Sequence, residues 1–240
     1  SDVCSSDLSY NTDDKAHYDK EHVVISKCSR GIDYHIVLKE LGTKLAEALK
    51  QYYEFDYRVF VDTGILSDRM LAYSSGLGFI GNNNFLINEK YGSFIFIGHI
   101  LLDTNIEHDR IKCVDNKCGY CDFCLKACPM RAYNDVNSFD YSKCISFLNQ
   151  SGIEFYKTNY IYGCDICQNV CPFNKNAVKT IHNEFIVDEK LYSLPNDEAL
   201  SITKEQFDKT YSDSSLYWRG FANFKKNVDM VILKRKHEPN

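Results

Sequence analysis

Apolar residues recur along the first hundred positions at spacings that predict alternating helices and strands. Residues 33–53 carry large apolar side chains at intervals of three and four, which is the period of one helix face. That predicted face consists of Leu38, Leu41, Leu45, Leu49 and Tyr52. Residues 58–62 predict a buried strand, and residues 93–102 predict a strand that is buried on both faces. Between them, Ser67 is expected to begin a helix that Gly76 ends.

The pattern changes near residue 110, where short cysteine-bearing loops replace the longer periodic segments. The helices predicted from there on span 122–127, 140–149, 165–170, 203–210 and 216–233. We therefore expect an α+β protein. Its expected divisions are an α/β domain at 27–110, a ferredoxin-like module at 111–180 and a C-terminal helical segment at 181–240 that packs on the α/β domain.

The first 26 residues match no predicted element. The segment from Asp2 to Leu8 reads like a translated sequencing adapter, so we expect a poorly ordered or non-native start and exclude Cys4 from the fold. The alternative is an ordinary frayed terminus. On the first interpretation the natural chain continues upstream, and this sequence is an N-terminally truncated form.

The composition excludes several classes of protein. Of the 240 residues, 44% are hydrophobic and 25% are charged, which excludes a mainly disordered chain, a coiled coil and collagen. The longest apolar run, residues 94–102, is too short to span a bilayer. A formal net charge of −5 argues against a nonspecific coat on nucleic acid.

Eleven cysteines stand out from this composition, and eight of them lie between Cys118 and Cys171. No secretory signal precedes them, so metal ligation is expected rather than a disulfide framework. The run from Cys118 to Cys128 has the spacing C-x2-C-x2-C-x3-C-P, which is that of bacterial ferredoxins. A second run, C-x2-C-x3-C-P, begins at Cys164, and Cys144 lies between the two.

These eight cysteines are enough for two 4Fe-4S clusters, because each cluster takes four thiolates and the cysteine before proline reaches the other cluster. The first cluster is assigned to Cys118, Cys121, Cys124 and Cys171, and the second to Cys128, Cys144, Cys164 and Cys167. The alternative is a zinc ribbon made from C-x2-C pairs, which has no need of the longer run. Cys28 and Cys113 are interpreted as buried or incidental thiols.

Several motifs in combination resemble the epoxyqueuosine reductase family. They are RGIDYH at 30–35, FVDTGILSDR at 60–69, GLGFIGN at 76–82, YGSF at 91–94, CISFL at 144–148, YGCDICQ at 162–168 and CPFN at 171–174. The chain departs from the family pattern at four positions, where the family has Pro, Glu, Trp and Lys. These are Ile65, Asp68, Phe79 and Asn82.

The resemblance implies an oxidoreductase that converts epoxyqueuosine to queuosine in the anticodon loop of tRNA, as part of queuosine biosynthesis. Electrons would pass through the two clusters to cobalamin, held in a nitroreductase-like domain. An external electron donor such as a flavodoxin or ferredoxin is implied as a partner. We expect a cytoplasmic monomer without membrane association. The family's C-terminal helical-repeat extension has no counterpart in this sequence, which indicates a short form.

The resemblance also assigns roles to individual residues. Asp62 follows the predicted strand and would donate a proton; the alternative is an aspartate that caps the turn at Thr63 and Gly64. The glycine loop, with Gly76, Gly78 and Gly81, would form the floor of the cobalamin site; the alternative is a tight loop.

Two further residues are expected to contact a cofactor or RNA, and a third is expected to lie in the core. Ser146 is implied at the edge or tail of the corrin, and Arg30 would contact a phosphate of the cofactor or of RNA. His99 is predicted to be a hydrogen-bonded core histidine rather than a cobalt ligand.

Two other functions stay open at this point. One is a different corrinoid-dependent reductase that acts on a small molecule, and the other is a two-cluster electron-transfer protein. The hundred residues before the clusters argue against the second, because a simple carrier has no use for them.

Overall fold

The structure, a computed structural model, describes residues 2–64, 66–106, 112–135, 138–155 and 157–235. In the first half the elements are β1 (Asp2–Ser9), β2 (His22–Ile25), α1 (Tyr34–Leu49), β3 (Tyr57–Phe60), α2 (Asp68–Ser74), β4 (Phe79–Ile80), β5 (Leu86–Ile87) and β6 (Ile95–Leu102). In the second half they are α3 (Phe123–Ala127), β7 (Tyr133–Asp135), β8 (Ser138–Phe139), α4 (Ile145–Gln150), β9 (Tyr160–Tyr162), α5 (Ile166–Asn169), α6 (Pro172–Lys175), β10 (Ser193–Pro195), α7 (Asn196–Ser201), α8 (Lys204–Tyr211) and α9 (Gly220–Arg235).

The first sheet has the order β1-β6-β3, and both outer strands run antiparallel to β6. The prediction that the apolar strand is buried on both faces is confirmed, since α1 and α2 both contact β6. The α+β class is likewise confirmed. The finer expectation of an α/β arrangement in this part is wrong, because the sheet is antiparallel and needs no parallel crossovers.

Helix α1 lies on this sheet, but only part of the predicted face is buried, since Leu38 is buried and Leu49 packs against the core. Asp33 begins the helix by accepting a hydrogen bond from the backbone N–H of His35. Val37, Leu38 and Ala46 are buried, whereas the predicted core residues Leu41 and Leu45 are 39% and 49% exposed.

The small residue Gly42 explains why the predicted face is only partly buried. A Cβ at Gly42 would lie 2.8 Å from a methyl carbon of Val59 in β3, so the helix and the strand approach each other most closely at this position. The contact face is therefore made partly by small residues that a search for large apolar side chains overlooks.

The second sheet has the order β10-β2-β9, with β2 parallel to β9 and antiparallel to β10. Helices α7, α8 and α9 pack on it around a core that includes Val23, Tyr160, Phe207 and Val228. The C-terminal helices therefore pack mainly on this sheet and on α4, rather than on the first sheet as predicted. Strand β2, which lies in the predicted start segment 1–26, pairs with strands of the second half, and the boundary near residue 110 stays a prediction. Among the described residues, no helix is long and apolar enough to cross a bilayer.

The expectation of a poorly ordered start at residues 1–26 is wrong. Strand β1 pairs with β6 from Asp2↔Leu102 to Ser9↔Ile95. Tyr10 is buried against the ring of Phe96, with ring centroids 4.1 Å apart. Apolar and polar residues do not alternate in this strand, so its own sequence does not predict a strand, and the pairing with β6 supplies the order.

Candidate functional site

Four cysteines from two distant parts of the chain surround one cavity. Helix α3 carries Cys124, and Cys171 immediately precedes α6. The first set, Cys118, Cys121, Cys124 and Cys171, lines a cavity of about 260 Å³ together with Asn82, Asn83, Ile87 and Phe173. The structure therefore brings together the four residues that the sequence assigned to the first cluster.

The other four predicted ligands form a second set, which consists of Cys128, Cys144, Cys164 and Cys167. Burial raises the pKa of the Cys144 thiol, and the neighbouring Cys128 adds to the rise. Burial also raises the pKa of Cys167 to about 12 and that of Cys164 well above its ordinary value, and Cys144 acts on both. Groups that influence each other in this way lie close together. Because metals bind thiolates, cluster loading would have to displace these protons.

The sulfurs of the two cysteine sets are not gathered as closely as around a bound zinc ion. A tetrahedral zinc ion with Zn–S bonds of about 2.3 Å holds its sulfurs about 3.8 Å apart. In the part of the chain that the structure describes, one group of three ligand atoms has all its members within 4.8 Å of each other, and it consists of His17, Asp19 and His22. No three sulfurs of either cysteine set meet that limit.

Polar groups around the two sets point at sulfur. The backbone N–H of Asn82 donates to Sγ of Cys118 at 3.4 Å, and that of Ala132 donates to Sγ of Cys128 at 3.4 Å. The Nδ2 of Asn83, which lines the first cavity, is buried without a hydrogen-bond partner among the described atoms. Such donors stabilise thiolate and sulfide charge and thereby influence reduction potential.

Tyr133 lies between the two cysteine sets. Its hydroxyl donates to the carbonyl oxygen of Asn83 at 3.0 Å and lies near Cys167. Burial raises its pKa far above the ordinary value, and the charges of Cys167 and Cys124 contribute further. The side chain therefore lies near a member of each set.

Asp62 lies just after β3 in a strained turn. Its φ is +55°, and the N–H of Thr63 donates to the carbonyl of Val61 at 2.5 Å across it. A non-glycine residue in this conformation costs about 1–3 kcal/mol and persists only where its surroundings enforce it, often at functional sites. The Asp62 side chain is 64% exposed. The turn thus directs a carboxyl group away from the sheet and into open space.

The beginning of α1 supplies partners for this carboxyl. The hydroxyl of Tyr34 donates to Oδ2 of Asp62 at 2.7 Å, and Nε2 of His35 lies 4.0 Å from the same oxygen. That Nε2 is buried and has no hydrogen-bond partner among the described residues. The other ring nitrogen of His35, Nδ1, is hydrogen-bonded to Oδ1 of Asp33 at 2.8 Å. An unsatisfied polar atom beside an exposed carboxyl is suited to a ligand that brings its own polar group.

A second carboxyl, Asp68, lies on the inner side of Asp62. Its Oδ1 is 3.2 Å from Nε2 of His99, which is almost fully buried in β6. The charge of Asp62 acts on Asp68, so the two carboxyl groups are neighbours. Burial raises the pKa of Asp68 and lowers that of His99, and each partner opposes the shift of the other. The prediction of a hydrogen-bonded core histidine fits this position, since Nδ1 of His99 also lies 2.9 Å from Oγ of Ser5.

Comparisons with known proteins agree with this arrangement. Residues 2–63 match the family described as "Epoxyqueuosine reductase QueG, DUF1730", and residues 117–174 match "4Fe-4S double cluster binding domain". The epoxyqueuosine reductase of Leadbetterella byssophila is 38% identical over 216 residues, which cover 86% of this chain and 70% of the relative. The chain belongs to the epoxyqueuosine reductase family.

Other relatives are longer than this chain. The epoxyqueuosine reductase of Lactococcus garvieae is 35% identical over 210 residues, which cover 85% of this chain and 59% of the relative. A crystal structure of epoxyqueuosine reductase with an epoxyqueuosine-modified tRNA stem loop has a TM-score of 0.84 and 28% identity, and the match covers 96% of this chain and 63% of that one. The chain thus spans about 59% of the first of these relatives and 63% of the second.

The glycine loop that the family resemblance assigned to cobalamin has a clear structural role. A Cβ at Gly78 would lie 2.3 Å from the carbonyl oxygen of Ile87, and one at Gly81 would lie 2.4 Å from the Ile87 side chain. Gly76 has a φ of +72° and ends α2 as predicted. These contacts account for the glycines as parts of a tight hairpin, which is the alternative interpretation, and a role in cofactor binding stays a prediction.

Two other predicted cofactor residues lie apart from Asp62. Arg30 is 4% exposed, donates to the carbonyl of Ile25 at 2.8 Å and pairs with Asp14 at 3.0 Å. Its guanidinium is committed to the interior, so the prediction that it contacts a phosphate does not fit this structure. Ser146 lies in α4, next to Cys144, and accepts a hydrogen bond from Gln150 at 3.1 Å. It therefore belongs to the surroundings of the second cysteine set, and its contact with a cofactor stays a prediction.

The sequence did not single out Tyr133 or Asn83 as part of the cluster surroundings. Both lie outside the cysteine spacing, and the hydrogen bond from the Tyr133 hydroxyl to the Asn83 carbonyl joins two distant parts of the chain beside the cysteines. The available signal was the position of Asn83 just beyond the glycine loop. Cys28 is, as interpreted from the sequence, a thiol within the fold, and burial raises its pKa, whereas Cys113 is exposed.

Proposed function

We propose that this chain reduces epoxyqueuosine in the anticodon loop of tRNA to queuosine, with electrons that pass through two 4Fe-4S clusters to cobalamin. The observation that carries the proposal is the convergence of eight thiols in two adjacent sets, in a chain of this family that also holds a strained and exposed aspartate. The tRNA-bound structure of a family member supports the choice of substrate.

The first cysteine set suits a 4Fe-4S cluster because its cavity offers four thiols, the Asn82 N–H and the unsatisfied Asn83 amide. Asn82 directly follows Gly81, so this set adjoins the glycine loop. The second set lies beyond Tyr133. We infer that electrons from an external donor such as a flavodoxin or ferredoxin enter at the second set and leave from the first.

The residues that face the substrate are those around Asp62. The buried Nε2 of His35, which lacks a partner, fits a bound polar group beside the Asp62 carboxyl. Cobalamin, when bound, would supply the low-potential reducing centre that opens the epoxide. Since Oδ2 accepts the hydrogen bond of Tyr34, Oδ1 is the oxygen of Asp62 from which a proton would pass to the substrate. Release of the epoxide oxygen as water takes two electrons and two protons; Asp62 would deliver one proton and solvent the other.

The test is anaerobic reconstitution of the chain with iron, sulfide and cobalamin, followed by assay on an epoxyqueuosine-containing tRNA stem loop. We expect mass spectrometry of the digested RNA to show queuosine. Cobalamin binding and intact clusters without any conversion of the RNA would instead favour a corrinoid reductase of a small molecule. Intact clusters without cobalamin binding would favour an electron-transfer protein.

A further inference from the structure

Three side chains in the loop before β2 bring metal-ligating atoms together, apart from the cysteine sets and the Asp62 turn. His17, Asp19 and His22 each offer one nitrogen or oxygen atom, and these atoms all lie within 4.8 Å of one another. The rings of His17 and His22 are stacked, with centroids 4.6 Å apart and an interplanar angle of 23°. Nδ1 of His22 lies 2.7 Å from Oδ1 of Asp19. The spacing His-x-Asp-x2-His thus places two imidazoles and a carboxylate around one point.

The backbone of this loop is held by three separate parts of the second sheet and its borders. The N–H of His17 donates to Oγ of Ser193 in β10 at 3.0 Å. Nδ2 of Asn159, just before β9, donates to the carbonyl of Asp19 at 2.6 Å. Asn196, at the start of α7, donates to two further carbonyls of the loop, each at 2.9 Å. The loop is therefore fixed before any ligand arrives, and a preorganised site loses less affinity to ordering.

The donor atoms are close to the geometry that a metal ion requires. Oδ1 of Asp19 also accepts the N–H of Glu21 at 2.9 Å, which orients the carboxylate. A tetrahedral zinc ion with bonds of about 2.0–2.1 Å to nitrogen and oxygen holds its ligand atoms about 3.3 Å apart, so the separations need to adjust by about 1.5 Å at most. The Asp19 side chain is 51% exposed and that of His22 is 21% exposed. An ion and a water ligand can therefore reach the site from solvent.

We propose that His17, Asp19 and His22 form a binding site for a divalent transition metal, zinc above all, with water as a further ligand. Two imidazoles favour zinc over magnesium and calcium, which prefer oxygen ligands. The site offers nitrogen and oxygen only, and this distinguishes it from the two cysteine sets. Because contacts across the second sheet hold the loop in shape only in the folded chain, the bound ion stabilises the folded state. The site is independent of the proposed reaction.

The experiment uses the full chain after anaerobic reconstitution of its clusters. The chain is dialysed against micromolar zinc, and bound zinc and iron are measured together. We expect about one zinc per chain, with the iron content unchanged. The X-ray absorption spectrum at the zinc edge should show nitrogen and oxygen neighbours at about 2.0–2.1 Å and no sulfur at about 2.3 Å. Absence of bound zinc would overturn the proposal, and so would sulfur neighbours, which would place the zinc among the cysteines.

Substitutions identify the ligands. Loss of an outer partner of a metal ligand commonly costs about 10–100-fold in affinity, so His17→Gln, His22→Gln and Asp19→Asn should each weaken zinc binding at least about tenfold. His182→Gln, which replaces a half-buried histidine outside the group, is the matched control and should bind zinc as the wild type does. Cys113→Ala should also retain the zinc, although this substitution removes an exposed thiol.

The variants leave no result undecided. Wild-type affinity in both His17→Gln and His22→Gln would overturn the proposal, and loss of the zinc in Cys113→Ala would assign the ion to that thiol instead. Iron content and circular dichroism verify that each variant is folded. If His22→Gln fails to fold, His17→Gln decides, because His17 is exposed and is fixed to β10 through its backbone.

Discussion

The hydroxyl of Tyr34 donates a hydrogen bond of 2.7 Å to Oδ2 of Asp62. Tyr34 begins α1 and Asp62 follows β3, so the contact joins the two elements that flank the candidate active site. Burial raises the pKa of Tyr34 far above its ordinary value, and the Asp62 charge raises it further. The hydroxyl therefore remains a donor at every working pH.

Replacement of Tyr34 by Phe removes only this donor. A hydrogen bond to a charged group is worth about 1.5–3 kcal/mol, so kcat should fall about tenfold to hundredfold through loss of carboxyl orientation. Steady-state kinetics on the stem loop measure the effect. Tyr57→Phe is the matched control, because its hydroxyl also donates to a carboxylate, Glu47, at 2.7 Å but at the other end of β3. Equal effects of the two substitutions would contradict the prediction.

Asp62→Asn should retain both clusters and lose turnover by about two to four orders of magnitude, the usual contribution of a positioned acid. Asparagine tolerates the left-handed conformation, so the turn should persist and only the transferable proton is lost. Single-turnover rates and cluster absorbance are measured together. Asp56→Asn, at the start of the same strand, should have full activity. Near-normal turnover of Asp62→Asn would assign Asp62 a structural role in the turn.

Cys171→Ala should lower the bound iron from about eight to about four atoms per chain after anaerobic reconstitution, because one cubane loses a ligand. Cys113→Ala, an exposed thiol outside both sets, should leave iron and sulfide unchanged. Cys164→Ala is expected to remove the other cluster. If Cys171→Ala and Cys164→Ala abolished the same paramagnetic resonance signal, the division into two sets would be wrong.

Arg30→Met should destabilise the fold strongly. It leaves the carboxylate of Asp14, which is 19% exposed, without its partner at 3.0 Å, and breaking such a pair costs about 3 kcal/mol or more. The midpoint of urea denaturation, measured anaerobically on the reconstituted chain, should fall. Lys15→Met, which removes the exposed pair with Glu189, should change the midpoint little. A wild-type midpoint for Arg30→Met would show that the guanidinium is not structural.

The same pair predicts a pH dependence of stability. Burial raises the pKa of Asp14, but Arg30 and the hydroxyl of Tyr18 outweigh it, and the net pKa is lowered. A lowered folded-state pKa adds stability above the unfolded pKa of about 3.9, and that contribution is lost as the pH falls through the folded value. Denaturation midpoints are measured from about pH 3 to about pH 6. They should fall more steeply toward acid in the wild type than in Asp14→Asn. Parallel curves would refute the assignment.

The sequence was sufficient for chemistry that depends on spacing along the chain. Cysteine runs that end in Cys-Pro predict two interleaved sets, because the closely spaced cysteines bind one cluster and the cysteine before proline reaches the other. The position of Cys171 beside Cys124 agrees with this prediction. Gly76 as a helix end and the doubly buried strand β6 were predictable for the same reason, since local conformation and burial pattern depend on neighbouring residues.

The sequence did not predict which side chains from distant elements contact each other. The helix face of α1 was partly misjudged because Gly42 and Ala46 pack closely where large side chains were expected. The sequence predicts that Arg30 meets a phosphate, but its guanidinium pairs with Asp14, which lies among the first 26 residues, where no element was predicted.

By itself, the sequence determined the double-cluster domain, the α+β class and the family resemblance, because these reside in residue identity and short-range spacing. Only the tertiary structure decided which groups surround Asp62. Tyr34, Asp68 and His99 come from a helix start, a second helix start and a central strand, and no periodicity relates them. Their meeting depends on the antiparallel pairing of β3 with β6, which places Phe60 beside His99 and brings the following turn over Asp68.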